Sequence, residues 1–295
     1  MKVKLLAILA CVLWGSAFAG AKIGFEYTTP LHLSGMRFML AGILLIPLLI
    51  YQKVDWKQNL KEWKYMLLFG VLQTFIQYGL FFMGLNKVPG AISAIIVGGG
   101  PLFIALMAHF TIQNDKLTAR KLFAIGLGLL GIIFISTAKG SVTSSGSAFW
   151  YGVGLLIISN IVGASTNIIV AKNRNRVSPI MLTAFANFTG GVLLYIVSSF
   201  TEDWYIKDYT TEFYFAWIWL AIIPAAGFSI WYSLLKRPEV KVSELNMWKF
   251  VIPVSGAILS WILLPGESPD IYSVTGILII TIALLTLQWN PRKIR

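Results

Sequence analysis

Two cationic side chains interrupt runs that are otherwise apolar. Arg37 lies in Gly35-Met36-Arg37-Phe38, about six residues into the stretch 31–51, and Lys249 lies in Trp248-Lys249-Phe250-Val251, within the stretch 243–264. A charge at membrane depth is expensive and marks a functional candidate by default. Arginine can grip a carboxylate through two parallel N–H donors, whereas lysine acts as a point charge. The chemistry on offer is recognition of an anionic or zwitterionic solute. Glu26 and Glu244, near the ends of apolar stretches, offer the two cations another use, structural ion pairing. Lys22 ends its stretch and can reach the interface along its own aliphatic stem, so it is set aside.

Uncharged polar side chains recur in the same runs. Gln73 and Gln77 are four residues apart and share one face of a helix, while Asn187 and Asn246 belong to later stretches. With Trp14 they are expected to line an amphipathic cavity anchored by Arg37 and Lys249. Bond-making chemistry has no comparable support. There is no Walker loop, no HExxH and no Cys/His cluster, and Cys11 is the only cysteine. No cofactor, metal site or ATP hydrolysis is expected, and the chain does not read as an enzyme. Gly98-Gly99-Gly100-Pro101 superficially resembles a phosphate loop but lacks the Lys-Ser/Thr that would complete one.

That glycine–proline segment has a counterpart. Pro101 and Pro253 lie 152 residues apart in apolar surroundings, and each is followed 14 residues later by an acid, Asp115 or Glu267. A proline removes a backbone donor and crowds the preceding turn, so Gly100, Pro101 and Pro253 are expected to break two helices. Such breaks at membrane depth are tolerated where they line a cavity or are buried in protein. Duplicated, interrupted spans point to a transporter with its substrate between the repeats.

The elements that must carry these residues follow from composition. Mean hydropathy is +0.75 and only 12% of residues are charged, about half the soluble-protein share. A spanning helix needs about 20 mostly apolar residues. Ten such stretches are present: 5–23, 31–51, 65–86, 89–110, 120–138, 150–171, 179–200, 213–235, 243–264 and 271–289. Runs such as 122–133 do not alternate apolar and polar residues, which argues against a barrel. The fold class is an all-α polytopic membrane protein of ten transmembrane helices. The first run resembles a signal peptide with Ala17-Phe18-Ala19 as its cleavage site, but it continues to Ile23, which predicts an uncleaved span.

The formal charge of +12 is topological. With the N-terminus placed in the cytoplasm, 18 of the 24 Lys and Arg residues fall in cytoplasmic segments, and only Lys87, Lys139 and Lys207 in opposite loops. That is the positive-inside pattern; it puts both termini in the cytoplasm and implies no nucleic-acid partner. The partners are the lipid bilayer and a small-molecule substrate. The Gly/Ser-rich segment 140–147 links a first repeat, 1–139, to a second, 148–291. Each holds five spans, so the second enters with opposite orientation, an inverted repeat. Thr29-Pro30-Leu31 matches Ser178-Pro179-Ile180, and Gly15-Ser16 matches Ala164-Ser165. The acidic loop 201–212 reads as a solvated connection.

Leu13-Trp14-Gly15-Ser16-Ala17-Phe18, with Pro30 and Gly35-Met36-Arg37-Phe38, resembles the opening of an EamA-type member of the drug/metabolite transporter superfamily. Val88-Pro89-Gly90-Ala91 with Pro101-Leu102-Phe103, and Val251-Ile252-Pro253-Val254 with Pro265-Gly266-Glu267, are similar to that family's helix-four and helix-nine signatures. The resemblance spans the chain in two copies. It implies inverted five-helix repeats, alternating access to a central cavity, and export of amino acids or related small metabolites from the cell across its inner membrane. Asp115 stands where the family usually has Glu, and Lys249 where many members are apolar. The first helix has no acid, so proton-coupled drug efflux by the small multidrug branch is not implied. A flippase for a lipid-linked anionic sugar and a non-transporting scaffold or sensor are the alternative functions.

Overall fold

The structure is a computed structural model describing residues 2–111, 118–140, 146–173, 176–203, 208–237, 245 and 247–288. The described residues form helices and no strands, with 87% helix. In chain order the helices are α1 (Lys2–Gly24), α2 (Pro30–Leu44), α3 (Ile46–Tyr51), α4 (Trp56–Leu60), α5 (Trp63–Gly70), α6 (Tyr78–Lys87), α7 (Gly90–Gly98), α8 (Gly100–Thr111), α9 (Ala119–Gly140), α10 (Gly146–Lys172), α11 (Pro179–Thr201), α12 (Thr211–Lys236), α13 (Val251–Leu263) and α14 (Ile271–Gln288). A π-helical segment, Val71–Gln77, joins α5 to α6, and a 3₁₀ turn, Met247–Phe250, leads into α13.

Seven helical segments are long and apolar enough to cross a membrane, among them Val3–Gly24, Pro30–Tyr51 and Trp63–Lys87. Two shorter apolar helices, Val251–Leu263 and Ile271–Thr286, accompany them. Large apolar side chains cover the outside: Phe200, Phe215, Ile262 and Ile271 are each at least 70% exposed. An apolar surface of that kind faces lipid. Tyr51, Trp63, Trp150 and Tyr151 are exposed at helix ends, as interfacial anchors would be. Tyr65, at another helix end, is buried, with the Arg176 guanidinium carbon 4.8 Å from its ring centroid.

Helix pairs join the two ends of the chain reciprocally. α2 packs on α11, α9 on α14 and α7 on α13. α1 packs on α12 and α13, while α10 packs on α6 and α8. In lipid such contacts depend on close van der Waals packing, and small residues such as Gly35, Gly42 and Gly191 bring α2 and α11 together.

Several helix starts are finished by side chains distant in sequence. The first backbone N–H groups of a helix have no internal partner. In α2, proline fills one of these positions, and the N–H groups of Leu31 and His32 donate to the Glu202 carboxylate at 2.9 and 3.0 Å. In α7, Gly90 and Ala91 donate to Glu267 at 2.6 and 2.9 Å. Ahead of α11, the Ser178 N–H donates to Asn59 Oδ1 at 2.7 Å, beside an ion pair of Arg176 with Glu62. The acidic loop is therefore not merely solvated. Glu202 holds α2, and Glu212 accepts from the Tyr27 hydroxyl at 3.3 Å. Its sequence could not reveal this, because a capping carboxylate and a solvated one look alike.

The two prolines correct the expected position of the breaks. Pro101 is the second residue of α8 and Pro253 the third of α13. Each interruption thus precedes its proline, at Gly99 and in the Met247–Phe250 turn. The first turn of a helix tolerates proline because its N–H would lack an internal partner anyway. The breaks meet in space. A Cβ built on Gly98 would lie 2.6 Å from the Pro253 ring, so only glycine leaves room for it there.

Candidate functional site

Where the interrupted segments meet α1, α10 and α12, they enclose a cavity of about 990 Å³, counting its mouth. Of the expected site residues, Trp14, Arg37, Gln73, Gln77, Gly100, Pro101 and Lys249 line it. Asn187 does not; it is buried within α11, away from the wall. Asn246 lies outside the described residues. Pro253 packs behind the wall on Gly98. A non-transporting scaffold has no need of an open interior, and a cavity lined by both cations counts against that alternative.

Arg37 is 1% exposed and lies with its guanidinium carbon 4.3 Å from the centroids of both Phe38 and Phe82 and 5.3 Å from that of Tyr78. Its Nε and Nη1 atoms have no hydrogen-bond partner. Lys249 is 9% exposed, with Nζ 5.0 Å from the Trp231 ring centroid. Neither cation has a carboxylate within 4.0 Å among the described residues. Rings partly compensate a buried cation, but a buried charge without a counter-ion remains costly. Glu244 lies outside the described residues; among the described residues the site holds two cations and no counter-ion.

The amide face is built differently from expectation. Gln73 and Gln77 stand not on a regular α-helix but in the π-helical segment, a geometry that recurs at functional sites. The Ser159 hydroxyl donates to the Gln77 carbonyl at 3.0 Å, holding this segment to α10. The Gln77 side-chain oxygen is left without a partner, as are the indole N–H groups of Trp14 and Trp231. At the first break, the Ile96 carbonyl accepts from the Gly99 N–H at 3.1 Å and also from Asn160 Nδ2 at 2.9 Å, which ties α10 to the interruption.

Pro224, Phe228 and Tyr232 also line the cavity and were not singled out beforehand. Their spacing of four along α12 was the available signal, since it puts them on one helical face. Phe228 and Tyr232 stack with ring centroids 5.6 Å apart, and Trp14 packs against Phe228 and Trp231 at 5.6 and 5.1 Å.

A multi-pass helical membrane protein with a polar cavity where interrupted helices meet has the architecture of a transporter. The comparisons agree. The model of the EamA-like transporter family matches residues 1–137 and again 150–288, and the chain belongs to that family. The uncharacterized transporter YvbV of Bacillus subtilis is 25% identical, over 98% of this chain and 92% of its own length. A protein of Chlamydia trachomatis serovar L2 named S-adenosylmethionine/S-adenosylhomocysteine transporter is also 25% identical, over 95% of this chain and 88% of its own. One solved crystal structure superposes with a TM-score of 0.72 at 16% identity, over 97% of this chain and 96% of that one, a likeness of fold alone. The protein is a membrane transporter and not an enzyme.

Proposed function

We propose that the chain exports amino acids or related small metabolites across the cell (inner) membrane by alternating access, without ATP. In this reading ten spans form two inverted five-helix repeats, 1–139 and 148–291, joined by 140–147, with both termini in the cytoplasm. The reciprocal helix pairing, the two family matches and the bias of basic residues support it. Arg37 and Lys249 hold the acidic group of a zwitterionic or anionic solute, while Trp14, Gln73 and Gln77 contact the rest. Asn187 acts through packing, and Asn246 keeps its proposed cavity role. The observation that carries the proposal is one cavity holding two buried cations with no counter-ion among the described residues. Rocking of the halves about the paired breaks would expose it to each side in turn.

The test is flux into proteoliposomes of labelled amino acids and organic acids. At least one should enter faster than into empty vesicles, and its flux should fall in Lys249→Ala while the variant stays folded. No solute crossing above background would overturn the metabolite class.

A further inference from the structure

The lining of the cavity narrows the solute further. It contains Arg37 and Lys249 and no aspartate or glutamate among the described residues. Its unpartnered side-chain atoms are also lopsided: Arg37 Nε and Nη1, Trp14 Nε1 and Trp231 Nε1 are donors, against one acceptor, Gln77 Oε1. A zwitterion would bring its ammonium group into a space with two cations and no carboxylate. An anion meets complementary donors at all of these atoms except the Gln77 oxygen.

The two cations are also spaced by a wall. Arg37 faces Tyr78 at 5.3 Å, Tyr78 meets Phe228 at 6.0 Å, Phe228 meets Trp14 at 5.6 Å, Trp14 meets Trp231 at 5.1 Å, and Trp231 faces Lys249 at 5.0 Å. Four successive rings, tilted 70°, 49° and 61° against one another, thus lead from one cation to the other and offer apolar surface between two positive ends. Arg37 comes from the first family match and Lys249 from the second.

We infer that the cavity takes a small organic dianion with an acidic group at each end and a flat or apolar body between, and that it selects against zwitterions. The inference rests on the transport reading above and narrows it: of the two solute classes named there it keeps the anionic and drops the zwitterionic, amino acids included. One carboxylate takes the Arg37 donors, the other the Lys249 ammonium, and the body lies along the rings. Because the two anchors belong to different halves, a bound dianion links them, and a monoanion cannot.

The experiment measures binding to purified protein in detergent with four probes: terephthalate, succinate, benzoate and phenylalanine. Terephthalate should bind at least about tenfold more tightly than benzoate, roughly what one lost charged contact is worth, and phenylalanine should not compete. Arg37→Met and Lys249→Met should each lower terephthalate affinity to the benzoate level, while Lys249→Arg retains it. Size-exclusion profiles separate misfolding from loss of the anchor. Phenylalanine binding as tightly as terephthalate, full affinity in both methionine variants, or no binding of either dianion at about 1 mM would each overturn the inference. Dianions that bind yet never cross a vesicle would sink the transport reading alone. Amino acids that cross while dianions neither bind nor inhibit would sink this one alone.

Discussion

Arg37 and Lys249 are both buried cations with no carboxylate partner among the described residues, but they are held in opposite ways. Arg37 projects from the regular helix α2, its guanidinium within 4.3 Å of two ring centroids. Lys249 sits on a four-residue 3₁₀ turn at the entrance to α13, near one ring. A 3₁₀ turn has poorer hydrogen-bond geometry than an α-helix and often marks a hinge. In the proposed reading Arg37 would be the fixed anchor, and Lys249 would ride on backbone able to reorganise with the break beside it. One rigid contact and one mobile contact are what a site needs if it is to hold its ligand while the two halves move.

The sharpest way to break this comparison is at Arg37. Arg37→Lys should lower transport about 30-fold or more, roughly 2 kcal/mol, because an ammonium cannot fill the flat slot between Phe38 and Phe82. Vesicle flux measures it, and near-normal flux would show that only charge matters there. Next is the contact between the breaks. Gly98→Ala forces a methyl into the Pro253 ring and should cost about 1–3 kcal/mol of stability, read as a lower Tm in detergent. Pro253→Ala should recover part of that loss in the double variant. At the mobile anchor, Lys249→Arg should change flux less than about threefold, since its position can adjust. A loss as large as that of Arg37→Lys would erase the distinction. The smallest effect is expected at Asn160→Ala, which removes one hydrogen bond to the Ile96 carbonyl, worth about 1 kcal/mol.

Much of the fold was legible because membrane spans announce themselves by length and hydropathy, and the described helices other than the short α4 fall on the expected stretches. Arg37, Lys249, Trp14 and the two glutamines were legible for the converse reason, polarity or bulk where lipid would select neither. What escaped notice depends on details of the local backbone and on distant contacts. Pro253 reads as a break but is accommodated in the first turn of a helix. Gln73 and Gln77 have the spacing of an α-helical pair and occupy a π-helix. Asn187 resembles the other amides and faces packing, because nothing in a single helix of apolar residues says which side is lined by water. Phe228 and Tyr232 hid among the many aromatics of α12, where cavity-facing and lipid-facing rings have the same composition.

The carboxylates that complete α2 and α7 carry a consequence for how the chain is made. Glu202 and Glu267 are synthesised long after the helices whose N–H groups they accept. Until they emerge from the ribosome, those helix starts must rely on water or headgroups. The early helices therefore enter the membrane unfinished, and the last third of the chain locks them. A truncation before Glu267 would do more than shorten the protein: it would leave the start of α7 unlocked, a mark by which quality-control proteases could tell an incomplete chain from a finished one.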